Sequence, residues 1–242
     1  MDFERRRDYL QTLGIELWLP RAPAVQVPAP QASAAPPAAV VAPPPASGDG
    51  WQQLRREVLE CTRCALHLSR TQGVFGVGPE RCDWLVIGEA PGVEEDRRGE
   101  PFVGAAGQLL DAMLKAIGLD RRSNVYIANV LKSRPPGNRD PKPEEVAACL
   151  PYLQAQIELL RPKLMLAVGR IAARSLLGTD APLGRLRGQV HRFGDTPLIV
   201  TYHPAYLLRT PAEKRKAWED LKFARSVYQQ LIHGRALDGH RT

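Results

Sequence analysis

The chain has 242 residues, 44% of them hydrophobic, and a formal net charge of +7, enough for one substantial domain with an appendage but short for two full cores. No apolar run reaches the length of a membrane span, and Glu4, Arg5, Arg6 and Arg7 open the chain with no signal-peptide core behind them, so the reading is a cytoplasmic protein with no membrane segment. The positive charge suits a polyanion such as nucleic acid and equally a basic solvated surface.

Residues 1–22 form a candidate docking peptide, in which Tyr9, Leu10, Leu13, Ile15 and Trp18 make an apolar set behind the arginines. Gly14 would stop a helix there after roughly ten residues, too few to be stable alone in water. Residues 23–50 are almost entirely Pro, Ala, Val, Gln, Ser and Gly, with Pro43-Pro44-Pro45, and read as an extended, semi-rigid linker. A short amphipathic peptide on a long tether suits docking on a partner.

The domain at 51–233 alternates helices and short apolar strands, before a tail at 234–242. Trp51 to His67 reads as a helix carrying Cys61-Thr62-Arg63-Cys64 near its end, Asp83 to Ile87 as a strand, and Gly104 to Ile117 as a helix. A strand at Asn124 to Asn129, a helix at Pro143 to Leu160, a strand at Lys163 to Val168 and a helix at Arg170 to Leu177 follow. Gln189 to Phe193 and Pro197 to Thr201 read as strands, and Pro211 to Ile232 as the closing helix. This alternation implies an α/β fold, a three-layer α/β/α sandwich around a mostly parallel sheet.

Parallel strands deliver the loops that follow them to one edge. Three such loops, Gly88 to Gly107, Asn129 to Pro143 and Tyr202 to Leu208, would bring together Glu89, Glu95, Asp96, Phe102, Asn129 and His203. The set offers carboxylates, an aromatic platform, an amide able to read a base edge, and an imidazole able to stabilise a developing oxyanion. Each also has an ordinary structural reading: a core ring, a turn-capping amide, a loop histidine, a solvated acidic turn.

The residues carry a resemblance. Gly88-Glu89-Ala90-Pro91-Gly92 with Glu95-Asp96, then Pro101-Phe102-Val103-Gly104 with Ala106-Gly107, Asn129-Val130, Arg134-Pro135-Pro136 with Asn138-Arg139, Pro143-Glu144-Glu145 and His203-Pro204 with Tyr206-Leu207-Leu208 are similar, in order and spacing, to the family 4, iron-sulfur type of uracil-DNA glycosylase. The resemblance implies a domain that flips uracil out of DNA and hydrolyses its N-glycosidic bond. Phe102 would stack on the base, Asn129 would pair with its Watson-Crick edge, and Gly88 and Ala90 would border the pocket. His203 would stabilise charge at the uracil carbonyl, and Glu89 or Glu95 would oppose the sugar cation or orient the water. Leu207 would be the wedge that fills the gap in the duplex, with Arg134, Arg139 and Arg209 on phosphates.

The family holds a 4Fe-4S cluster on four cysteines. Cys61, Cys64 and Cys149 match three of them, and Ser133 stands at the remaining position. A hydroxyl is a poor substitute for thiolate on iron, so the expectation is a labile or absent cluster. Cys82 matches no ligand position and is expected to be a buried or partly buried thiol. His67 gives a C-x-x-C-x-x-H spacing whose residue types also allow zinc. The N-terminal Arg6-Arg7-Asp8 with Leu10, Leu13-Gly14-Ile15 and Trp18 resembles the peptide by which the psi subunit of bacterial DNA polymerase III docks on the clamp loader. That implies the clamp loader and the chi subunit as partners beside uracil-containing DNA. The alternative is then a psi-like accessory subunit whose glycosylase-like domain is a binding module with weak or no activity.

Overall fold

The structure, a computed structural model, describes residues 49–234. The docking peptide at 1–22, the linker up to residue 48 and the tail from 235 lie outside the described residues. In chain order the helices are α1 (Asp49–Leu59), α2 (Val93–Arg98), α3 (Ala105–Ala116), α4 (Pro143–Leu160), α5 (Arg170–Leu177), α6 (Leu183–Leu186), α7 (Pro204–Arg209) and α8 (Lys214–Ile232). The strands are β1 (Trp84–Gly88), β2 (Val125–Asn129), β3 (Leu164–Val168), β4 (His191–Phe193) and β5 (Thr196–Thr201).

They form one sheet in the order β2-β1-β3-β5-β4, parallel except for the antiparallel edge strand β4. Every residue of β1, β2 and β3 is buried, as expected of parallel strands covered on both faces. Side chains alternate between two layers. Leu85, Ile87, Tyr126, Met165 and Leu198 pack with α1, α4 and α5, whereas Val86, Ile127, Leu166 and Ile199 pack with α3 and α8. The expected three-layer sandwich is the observed fold. Val77 pairs with Ile127 through N···O distances of 2.9 and 2.8 Å, which engages backbone groups on the outer side of β2. No described helix is long and apolar enough to cross a membrane.

Sequence order reverses at β1, which lies between β2 and β3, so the connections on either side leave in opposite directions and a crevice opens beyond the carboxyl ends of the strands. Four loops reach that crevice rather than the three expected, because β3 is also parallel and contributes Gly169 and Arg170.

Some element boundaries differ from the sequence reading. The first helix stops at Leu59, and the Cys61 to Cys64 segment lies beyond it. The Arg70 guanidinium donates to the carbonyls of Val58 (3.4 Å), Leu59 (2.7 Å) and Cys61 (3.0 Å), satisfying acceptors that a helix end leaves unpaired. The acidic turn after β1 contains the short helix α2, and the His-Pro loop after β5 contains α7.

Candidate active site

A cavity of about 630 Å³ lies beyond the carboxyl ends of the strands and is lined by Glu89, Ala90, Glu95, Phe102, Asn129 and His203, among others. It therefore gathers the expected constellation, apart from Asp96. That carboxylate is buried and accepts from the backbone N-H groups of Thr71 (2.9 and 3.0 Å) and Gln72 (3.5 Å). It braces the segment after the cysteine pair instead of facing the cavity, because Asp96 projects from α2 on the side turned toward the core.

Asn129 ends β2 opposite Gly88 in the parallel register. Its side chain is buried, and its Oδ1 has no hydrogen-bond partner among the described residues. A buried acceptor left unpaired costs on the order of 1–3 kcal/mol, which a ligand donor entering the cavity would recover. Gly88 permits this arrangement: a Cβ there would stand 2.4 Å from Asn129 Oδ1 and 2.6 Å from the Phe102 ring.

Phe102 is buried and sits at φ 56°, in the left-handed region that a bulky side chain rarely adopts. Several contacts impose that conformation. Arg121 donates to the carbonyls of Pro101 (3.2 Å) and Phe102 (2.8 Å). Glu95 holds the other side, its Oε1 accepting from Val103 N (3.0 Å) and Gly104 N (3.1 Å), and its Oε2 from Gly92 N (3.1 Å). Of the two carboxylates expected as alternatives, Glu95 is taken up by the backbone: three N-H donors occupy its oxygens and clamp the start of α2 to the loop that carries Phe102.

His203 caps α7 and its ring lies 5.6 Å from that of Phe102, with planes 30° apart. Nδ1 accepts from Ala205 N at 3.1 Å, which leaves the proton of the neutral ring on Nε2 as a donor. Burial, reinforced by the Arg209 cation and opposed by Glu95, pushes the imidazole down to about 4. The fold thus favours the neutral ring. Its contribution to stability is full above the ordinary value of 6.5 and is lost as pH falls through about 4.

The Glu89 carboxylate also lines the cavity. Burial, together with the nearby Asp140 charge, pushes it up to about 7, against the opposing pull of Arg170. Asp140 and Arg170 are themselves paired at 2.6 Å. Arg170 and Asp140 both line the cavity and escaped the sequence reading, although the rule applied to the other loops, that residues just past a parallel strand reach the site, would have found Arg170.

The expected DNA contacts divide. Leu207 is buried in the core beneath α7, so it cannot be the wedge; the helical turn exposes Tyr206 and Leu208 instead. Reading this segment as a loop hid that alternation. Arg139 forms a two-pronged pair with the buried Glu145 (2.8 and 2.5 Å), and Arg134 donates to Asn138 at 2.7 Å. Both shape the loop after β2. Arg209 is exposed at the cavity mouth.

At the expected cluster site, Cys149 and Cys64 border one small apolar cluster with Leu66 and Leu131. Ser133 is buried, and its hydroxyl accepts from Arg70 at 2.8 Å, the same guanidinium that binds the Cys61 carbonyl. Among the described residues no group of three or more His, Cys, Asp or Glu side chains is arranged to hold a metal ion. Three thiols, and a hydroxyl already bonded to a fixed cation, do not fit a four-thiolate cluster. His67 Nδ1 lies 2.7 Å from the Cys64 carbonyl, an ordinary turn contact. Cys82 is partly buried, as expected, with its thiol pushed up to about 11 by burial.

Comparison with known proteins gives a consistent result. The Uracil DNA glycosylase superfamily profile matches residues 75–222. The chain is 46% identical over 175 residues to the Type-4 uracil-DNA glycosylase of Archaeoglobus fulgidus, covering 69% of this chain and 87% of that one. It is 44% identical over 177 residues to the Type-4 enzyme of Thermotoga maritima, covering 72% and 92%. A Type-5 uracil-DNA glycosylase of Thermus thermophilus is 33% identical over 153 residues, 54% of this chain and 68% of that one.

Two outcomes are expected. In carbon-13 NMR titration the Glu89 carboxyl titrates near pH 7. Asp140→Asn moves that midpoint down and Arg170→Ala moves it up; a midpoint in the ordinary carboxylate range would contradict the arrangement. Iron and sulfide quantitation on anaerobically purified protein gives far less than a full cluster per chain, and a full complement of iron would overturn the donor-set argument.

Proposed function

The chain belongs to the uracil-DNA glycosylase superfamily, and the Type-4 enzymes matched over most of its length place it among the uracil-DNA glycosylases; from that premise we propose how its residues excise the base. A uracil flipped from the stack enters the cavity and lies on Phe102. Asn129 Oδ1 accepts from the N3-H of uracil while the amide nitrogen donates to O4. Cytosine presents a lone pair at N3 and a donor at the neighbouring position, and so is refused.

The bond from C1′ to N1 breaks, its electron pair going to the uracil ring and chiefly to O2 and N1. His203 Nε2-H donates to O2 as that charge develops, a fixed donor of the kind typically worth about 10²–10³ in rate. A neutral imidazole suits the role because it is ready at neutral pH without competing protonation. Glu89 in its ionised form opposes the oxocarbenium-like sugar and orients the water that attacks C1′, taking up that water's proton. No lysine Schiff base is involved, so the reaction ends at an abasic site.

The observation that carries this reading is the buried Asn129 oxygen, without a hydrogen-bond partner among the described residues, in the wall of a cavity that Phe102 and His203 also line. Leu208, 43% exposed beside the cavity, takes the wedge role that Leu207 cannot, and Arg209 takes a phosphate. The alternative of a binding module without activity is not favoured, since relatives at 40–46% identity are named as Type-4 uracil-DNA glycosylases. Docking of residues 1–22 on a clamp loader stays a separate proposal. Deleting Met1 to Arg21 should abolish that binding and leave excision unchanged.

Uracil release from single- and double-stranded oligonucleotides is the test. Wild-type protein is expected to release uracil, with kcat rising with pH through about 7 as Glu89 ionises. His203→Ala should lose roughly 10²-fold or more, and Glu89→Gln should lose the pH dependence along with most of the rate. No release by wild type at any salt concentration would refute the proposal.

A further inference from the structure

Beside His203 runs a ladder of stacked groups that the excision chemistry does not use. Its foot is Asp220, fully buried, whose Oδ2 accepts from the Thr201 hydroxyl (2.8 Å) and from Arg187 Nε (2.6 Å). Arg187 also donates through Nη2 to the Lys216 carbonyl at 2.7 Å, so its plane is fixed. The guanidinium carbon lies 4.4 Å from the centroid of the Tyr202 ring, a cation-π contact. Tyr202 stacks on Tyr206, with ring centroids 5.3 Å apart and planes 25° apart. The top rung is open, for Tyr206 is 37% exposed.

Both tyrosines line the cavity, and Tyr206 N bonds the His203 carbonyl at 2.9 Å. The exposed ring and the catalytic imidazole thus belong to one helical turn. A ring held so firmly from beneath, beside the cationic Arg209 at the cavity mouth, is built to receive a planar, electron-rich partner next to a phosphate. DNA beside the cavity supplies one: when a nucleotide enters, its neighbour on the same strand lies within one nucleotide spacing of the mouth.

We propose that the Tyr206 ring is a stacking platform for the nucleobase adjacent to the flipped uracil. The proposal rests on the uracil-excision reading for the choice of ligand. It adds a second base subsite, one that reads no sequence because every base has a π face. It also favours strands whose bases are unpaired, since the neighbour must leave its own stack to reach the ring.

The test uses the full chain and short single-stranded oligonucleotides carrying 2′-fluoro-2′-deoxyuridine, which resists cleavage. The positions flanking it hold either natural bases or abasic residues, and affinity is read by fluorescence anisotropy. Removing the flanking bases should weaken binding to wild type and to Tyr206→Phe by roughly 5- to 50-fold. For Tyr206→Leu and Tyr206→Ala the same removal should change affinity less than about twofold, since the stacking increment is then gone. Melting temperatures confirm that the variants are folded. Flank dependence in Tyr206→Leu equal to that of wild type, or none in wild type, would overturn the proposal. Absence of uracil release by wild type would defeat the excision reading instead, while the flank dependence of binding still decides the platform.

Discussion

One unpartnered oxygen organises this protein. Asn129 Oδ1 is buried without a donor among the described residues, a state that folding alone does not reward, and the elements around it keep it there. Parallel pairing sets Asn129 opposite Gly88, the one residue type whose missing Cβ lets the amide and the Phe102 ring cross the strand end. Lys132, also buried, donates to the Asn129 main-chain carbonyl (2.9 Å) and to Gln156 (2.5 Å), fixing the backbone behind the amide. Burial pushes that lysine down to about 7, so the brace is itself demanding to bury. Phe102 adds backbone strain, typically about 1–3 kcal/mol for such a conformation, held in place by Glu95 and Arg121. Two unfavourable features at one cavity are held by the hydrogen bonds that surround them.

The same economy of roles governs charge. Of the carboxylates expected at the strand edge, Asp96 and Glu95 are each consumed by backbone donors, and Glu89 alone stays poised near neutrality between Asp140 and Arg170. The His203 pKa moves the other way, downward, so burial favours the uncharged form of both groups. In the proposed reaction a carboxylate that ionises near pH 7 and an imidazole that stays neutral divide the labour of cleavage toward an anionic leaving group. The cysteine region follows a different logic: Arg70 bridges the end of α1 to Ser133, so a guanidinium clip joins the segments beside Cys61 and Ser133.

Much of this was legible in the sequence. The parallel strands announced themselves as short apolar runs because they are buried on both faces, and the order of motifs named Glu89, Phe102, Asn129 and His203 among the residues that line the cavity. Side-chain direction was not legible. Whether Glu95 faces substrate or backbone, and whether Leu207 points in or out, depends on short helices α2 and α7, each a turn and a half long and too brief for a periodic signal. The early end of α1 was hidden for another reason, because its last carbonyls are satisfied by Arg70, eleven and twelve residues further along the chain. The ladder from Asp220 to Tyr206 joins three distant segments, which only the tertiary fold brings into register.

In the proposed reaction the Asn129 amide serves the substrate and not the fold. That role is tested most directly by kcat/KM for uracil release by Asn129→Ala on a single-stranded uracil oligonucleotide, with the melting temperature recorded on the same preparation. The expected result is a fall of roughly 10²-fold or more, with little or no loss of thermal stability. Activity retained within about twofold of wild type, by a protein that still folds, would contradict it.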